Sequence, residues 1–169
     1  GAIPEIRAIF GAKAVGRDGA MDRAYMRDLV FDNTEQRRRL EAILHPLIRA
    51  EVEQRLGATR APYAMVVIPL LVEHLEEYRE LLDRILVVDA DAAAQVARAA
   101  MRPGMSQARA QSILSSQAAR AQRLAVADDV LDNHGELCDL VPAVATLHAA
   151  YLRGAEAKNM THAQDRRKC

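Results

Sequence analysis

Arginines recur between Gln95 and Gly135, in the stretch QVARAAMRPGMSQARAQSILSSQAARAQRLAVADDVLDNHG. Arg98 and Arg102 stand four apart, so a helix would put them on one face. Gln117, Arg120 and Arg123 step by three and would share a face in the same way. A guanidinium stays charged, and its forked donors match phosphate oxygens. The Pro103-Gly104 break between the two segments would let a helical hairpin bring both cationic faces together. The chemistry this suggests is a mobile flap closing over a polyphosphate. A solvated helical hairpin satisfies the same pattern.

Such side chains need elements to position them. Pro4 to Phe10 predicts a short helix, and Gly11 to Gly19 a loop with an Asp18-Gly19 turn. A second helix opens at Met21-Asp22-Arg23 and buries Tyr25, Met26, Leu29 and Val30. Asn33 to Leu56 predicts the longest helix, capped by Asn33 with Gln36 at capping-box spacing. Its apolar stripe runs through Leu40, Ile43, Leu44, Leu47, Ile48 and Val52, and Pro46 predicts a kink or break near His45. Tyr63–Ile68, Arg84–Asp89 and Asp129–Leu131 are short apolar runs without alternation, which predicts buried parallel strands with helices on both faces. Between them, Leu70–Leu82, Asp91–Met101 and Ser106–Leu124 predict helices. Leu137–Leu152 closes the fold with an interruption near Pro142, and residues 153–169 are expected to form a flexible, frayed tail ending in Arg166, Arg167 and Lys168.

The composition bounds the partners. The 169 residues suffice for one domain with a real core. The 23 basic and 23 acidic residues cancel, so global charge argues neither for nucleic acid nor for an anionic membrane. Trp is absent and aromatics make up 4%, which disfavours base-stacking platforms. Cys138 and Cys169 are too few for a disulfide framework. No apolar run is long enough to span a bilayer, and the N-terminus lacks the pattern of a signal peptide. A cytoplasmic protein is the expectation, with the oligomeric state left open. No cysteine or histidine cluster points to a protein-bound metal.

In open α/β sheets, ligands bind beyond the carboxyl ends of the strands. Three groups fall there: Pro69-Leu70-Leu71 with Glu73, Asp89 with the helix carrying Arg98, and Asp132-Asn133-His134-Gly135. Singly, Pro69 could merely end a strand, Asp89 could merely cap a helix, and Asn133-His134-Gly135 could be an ordinary turn. Their convergence on one sheet edge argues for a site.

The motifs on this framework are DGAMDR (Asp18–Arg23), RLEAILHPLI (Arg39–Ile48), VIPLLVE (Val67–Glu73), LVVD (Leu86–Asp89), QVAR (Gln95–Arg98) and QAARAQRLAVADDVLDNHG (Gln117–Gly135). In this order, over nearly all of residues 1–152, the sequence resembles the dephospho-coenzyme A kinases, relatives of the nucleoside monophosphate kinases. The resemblance implies an α/β fold of P-loop kinase type: a three-layered parallel sheet, a helical acceptor-binding region over residues 14–62 and a helical lid over 96–125. It implies ATP-dependent phosphorylation of the ribose 3′-hydroxyl of dephospho-coenzyme A (dephospho-CoA), the last step of coenzyme A biosynthesis, with Mg²⁺ accompanying ATP. Under it, Arg98 and Arg120 are expected to stabilise the transferring phosphoryl group. Arg102 and Arg123 are expected to contact ATP phosphates, and Asn133 and Gly135 to lie beside the adenine. Asp22, Arg23, His45, Pro69 and Leu70 are expected on the acceptor side, although His45 could equally shape the kink at Pro46.

The sequence departs from that family in one respect. It holds no G-x-x-x-x-G-K-[ST] phosphate loop, and Gly11-Ala12-Lys13-Ala14 does not replace it, because the spacing is wrong and no Ser or Thr follows Lys13. The sequence therefore reads as a kinase domain, residues 1–152, without its phosphate-loop segment, and these residues alone are expected to be inactive. Another small-molecule P-loop kinase and a non-catalytic helical interaction domain are the competing readings.

Overall fold

The computed structural model describes residues 1–31 and 33–165, with side chains described as far as Met160. The chain divides into two compact units, Gly1–Thr59 and Arg60–Cys169.

The first unit is helical. Helix α1 spans Ile3–Phe10, with Pro4 in its first turn, where a missing N–H costs nothing. Gly11 ends it at φ +82°, a conformation that suits glycine. A 3₁₀ turn follows over Ala12–Ala14, and an isolated antiparallel bridge pairs Val15 with Met21. Helix α2 covers Arg23–Phe31 and α3 covers Thr34–Ala58. The Asn33 side chain accepts from the Gln36 N–H at 3.0 Å, as the capping signature predicts. Pro46 does not break the helix, and α3 continues through it as one element. Proline removes one donor, while the helical pattern runs on at both sides, with Arg39–Glu35, Arg49–Glu53 and Arg55–Glu51 paired four residues apart. Ile6, Phe10, Ala14, Met26 and Ile43 form the core of this unit.

The second unit carries the sheet. Its first regular elements are a single-turn helix, α4 (Leu75–Tyr78), and a 3₁₀ turn, Arg79–Leu81. Strands β1 (Leu86–Asp89) and β2 (Asp129–Asp132) then pair in parallel, in the register Leu86 to Asp129 through Asp89 to Asp132. The crossover between them holds α5 (Ala92–Ala100), α6 (Gln107–Ser115) and α7 (Arg120–Ala125). A parallel pair needs such a crossover, because its strands must begin at the same end. After β2 comes the long helix α8 (Leu137–Asp165).

Five expectations change in this unit. Tyr63–Ile68 is not a strand: it pairs with neither β1 nor β2, and Met65 and Val67 are 63% and 91% exposed. An apolar run becomes a strand only where a neighbour completes its ladder. Leu70–Leu82 is not one helix, because turns occupy residues 69–74 and Leu70 adopts φ +57°, which a helix cannot accommodate. Ser106–Leu124 is split by a break at residues 116–119, so Gln117 does not share a helical face with Arg120 and Arg123. Helix α8 passes Pro142 without interruption and, instead of fraying, continues beyond Gly154 to Asp165. The basic end, Arg166–Lys168, and Cys169 lie outside the described residues.

Candidate active site

Strand β1 ends at Asp89, and β2 ends at its register partner Asp132. The Asn133 N–H donates to the Asp89 carbonyl at 2.8 Å, which extends the ladder past both strands and ties the two carboxyl ends together. Helix α5 starts soon after, and its cap is Asp91, whose carboxylate accepts from the Ala94 N–H at 2.7 Å. Because Asp91 does the capping, the Asp89 side chain is left for another partner. That partner is Arg120, the first residue of α7. Its Nε lies 3.0 Å from each Asp89 carboxylate oxygen, and its Nη2 lies 2.5 Å from Oδ2. Asp89 is 5% exposed, whereas the Arg120 side chain is 55% exposed. The hydrogen bonds from Arg120 hold the Asp89 carboxyl below its ordinary range, and they outweigh the opposing effect of burial.

Arg98 reaches the same edge from α5. Its Nη1 donates to the Asn133 carbonyl at 2.8 Å and its Nη2 to the Gly135 carbonyl at 3.2 Å. The guanidinium fork therefore clamps the turn that follows β2. Within that turn the His134 N–H donates to Asp132 at 3.0 Å, and the His134 ring also pairs with this carboxylate, holding it below the ordinary range. A side chain on Gly135 would displace the Asp139 carboxylate, which accepts the Glu136 N–H at 2.8 Å.

The third group joins through the break before α7. Glu73 accepts the Ala118 N–H at 2.8 Å, which links the Pro69–Glu73 turn to the α7 start. Gln122 accepts the Ala119 N–H at 2.8 Å, half of a capping box. Arg123 donates from Nη1 to the Ala118 carbonyl at 2.6 Å, so it closes the same turn from inside. In the Pro69–Glu73 turn Pro69 and Leu70 are both exposed, and Leu70 holds a left-handed backbone that costs a non-glycine residue energy.

The carboxyl edge thus gathers Arg98, Arg120, Arg123, Asn133 and Gly135, with the Pro69–Leu70 turn linked to α7. Arg102 is not on the Arg98 face of α5. The helix ends at Ala100, and Arg102 stands exposed in the following turn, whose Pro103-Gly104 pair, with Gly104 at φ +74°, stops the helix. Asp22, Arg23 and His45 belong to the first unit. Asp22 accepts the Ala24 and Tyr25 N–H groups at 3.1 and 2.9 Å and caps α2; Arg23 opens that helix, exposed; His45 sits half-buried in α3. The sequence puts Asp89 and Glu73 at expected strand ends but shows a partner for neither. The signal for Asp89 was the second aspartate two residues on, free to take the capping role.

A family model described as dephospho-CoA kinase matches residues 1–139. The dephospho-CoA kinase of Aromatoleum aromaticum is 46% identical over 156 residues, which cover 92% of this chain and 76% of the relative. That of Thiobacillus denitrificans is 48% identical over 151 residues, covering 89% and 74%. Among solved structures, a protein from Thermus thermophilus aligns with a TM-score of 0.72 at 31% identity, over 87% of this chain and 75% of that one. The dephospho-CoA kinase from Campylobacter jejuni aligns at 0.61 and 26%, over 89% and 75%. The motifs that meet at the β1–β2 carboxyl edge all lie within the matched residues, and the chain belongs to the dephospho-CoA kinase family.

Proposed function

We propose that the protein transfers the γ-phosphoryl group of ATP to the ribose 3′-hydroxyl of dephospho-CoA, giving CoA and ADP. The observation that carries this reading is the meeting of Arg98 and Arg120 at the joined carboxyl ends of β1 and β2, each fixed by protein acceptors. Phosphoryl transfer depends mainly on positioning and on stabilising charge spread over the phosphoryl oxygens. Guanidinium groups already held in place supply that charge without reorganising during reaction.

In this proposal Arg120 and Arg98 meet the transferring phosphoryl group, and Arg123 and Arg102 contribute to phosphate binding. Asn133 and Gly135 flank the adenine. Pro69 and Leu70 contact the acceptor, and Asp22, Arg23 and His45 serve acceptor recognition from the first unit. Mg²⁺ arrives with ATP and neutralises its phosphate oxygens. No residue of this chain is assigned to the ion, because both Asp89 oxygens already accept from Arg120. Among the described residues no helix is long and apolar enough to cross a membrane.

The test is CoA formation from ATP and dephospho-CoA by the protein expressed from its complete gene. Turnover specific to dephospho-CoA supports the reading. Preference for another acceptor would make the protein a different small-molecule kinase, and absence of turnover would favour a non-catalytic domain. Residues 1–169 alone should show no turnover, because they contain no lysine-bearing phosphate loop; robust activity from them would overturn that expectation.

A further inference from the structure

Arg120 is held by a carboxylate at the place where the proposed reaction needs it to meet a phosphate. Its Nε–H and Nη2 face Asp89, the side-on arrangement of a bidentate pair. A guanidinium carries five N–H donors. Side-on pairing occupies one edge and leaves the Nη1–Nη2 fork at the tip, and Nη1 makes no hydrogen bond to the described residues. Asp89 is buried and Arg120 is more than half exposed, so the carboxylate grips from the sheet side while the free fork stays accessible. One guanidinium can therefore keep its carboxylate and still offer a fork to phosphate oxygens.

The same aspartate organises the other arginine through its backbone. Its carbonyl accepts the Asn133 N–H, and the Asn133 carbonyl in turn accepts from Arg98. Asp89 thus orients Arg120 by its side chain and the anchor of Arg98 by its main chain.

We propose that Asp89 is a positioning residue for phosphoryl transfer, fixing the plane of the Arg120 guanidinium so that its open fork faces the transferring phosphate. This rests on the proposed role of Arg120 in the kinase reaction. An unheld arginine loses considerable rotamer freedom when it engages a ligand. Held by Asp89, Arg120 loses that freedom on folding instead, and the benefit falls on the transition state rather than on substrate affinity.

A double-mutant cycle on the protein expressed from its complete gene tests this. Asp89→Asn keeps the size of the side chain and removes one charged acceptor. It should lower kcat on the order of tenfold to a hundredfold, the effect of a small misplacement, and leave KM for dephospho-CoA within about threefold, as expected for a loss confined to the transition state. Arg120→Ala should cost more, and Asp89→Asn combined with Arg120→Ala should cost no more than Arg120→Ala alone, because Asp89 acts through Arg120. Exchange of the Arg120 Nε–H, followed by ¹⁵N NMR, should be protected in the unchanged protein and fast after Asp89→Asn. The dispersion of the backbone amide signals in the same ¹⁵N spectra separates a folded variant from one that fails to fold. If Arg120→Ala leaves kcat unchanged, the role of Arg120 itself is wrong and the proposal falls with it. If Arg120→Ala is impaired while Asp89→Asn is normal, or if the two losses multiply, Arg120 stands and the positioning role of Asp89 is overturned.

Discussion

The parallel pair β1–β2 carries an arginine–aspartate pair at each end, and the two pairs differ in what surrounds them. At the amino end, Arg84 donates from Nε and Nη2 to Asp129 at 2.8 and 3.0 Å, and also reaches the Asp128 carbonyl at 3.3 Å. Asp129 takes a further bond from the Tyr151 hydroxyl of α8 at 3.0 Å. Tyr151 packs edge-on against Tyr63, whose hydroxyl lies 2.6 Å from His148 Nδ1. Both oxygens of Asp129 are satisfied, and the arginine is tied twice to the start of β2. At the carboxyl end, Arg120 grips Asp89 but keeps a free fork. The same pair chemistry therefore fastens the amino end, where α8 joins the sheet, and prepares the carboxyl end, where a ligand can enter. What separates a structural ion pair from a candidate catalytic one here is the count of donors left over.

The sharpest way to break the comparison is to remove the open arginine. Arg120→Ala should lower kcat by roughly a hundredfold or more, the scale of losing one transition-state donor, and should also lower the unfolding temperature by a few degrees, because the buried Asp89 loses its partner. Steady-state kinetics beside thermal unfolding would show both, and a normal kcat would make the two ends equivalent. Arg120→Lys should recover only part of the loss, leaving kcat down about tenfold, since a point charge cannot hold Asp89 side-on and offer a second fork. Full recovery by lysine would remove the argument from planar geometry.

Asp129→Ala should cost stability but spare the reaction. It strands Arg84 and Tyr151 together, so the unfolding temperature should fall by several degrees, while kcat, measured well below that temperature, should stay near normal. A large loss of kcat with intact stability would mean that the amino end also serves the reaction. Tyr151→Phe removes a single hydroxyl from the same cluster and should cost about 1 kcal/mol in denaturant unfolding.

The smallest effects should lie in the pH dependence of stability. The Asp129 carboxyl is lowered, first by its hydrogen bond from Arg84, as Asp89 is by Arg120. A lowered folded value gives stabilisation that is present above the ordinary carboxylate range, about pH 4, and is lost as pH falls through the folded value. Tyr151 is pushed up to about 12, first by burial and then by its bond to Asp129. Its contribution is present below about pH 10 and is lost as pH rises from there toward about 12. Unfolding curves across both ranges should lose the alkaline arm in Tyr151→Phe and keep the acid arm that Asp89 supplies. An unchanged alkaline arm in Tyr151→Phe would assign it to another group.

The sequence alone determined what depends on local chemistry. Asn33 with Gln36 announces the start of α3, and the unalternating LVVD announces a strand of a parallel sheet. The order of motifs from Asp18 to Gly135 announces the family. Arg98, Arg120, Asn133 and Gly135 could be assigned to one edge because a parallel crossover returns the chain to the same end. Tertiary structure decided what depends on distant partners. Tyr63–Ile68 has strand composition, yet a strand exists only where another backbone completes its hydrogen bonds. Gln117, Arg120 and Arg123 have helical spacing, yet the bonds from Ala118 to Glu73 and from Arg123 to Ala118 open the helix between them. Asp89 reads as a helix cap until Asp91 is seen to take that role, leaving Asp89 for an arginine that lies 31 residues away. Local propensity depends on a residue's near neighbours, whereas the geometry of an ion pair depends on where the crossover sets each partner down. Which arginine keeps a free fork is therefore fixed only by the fold.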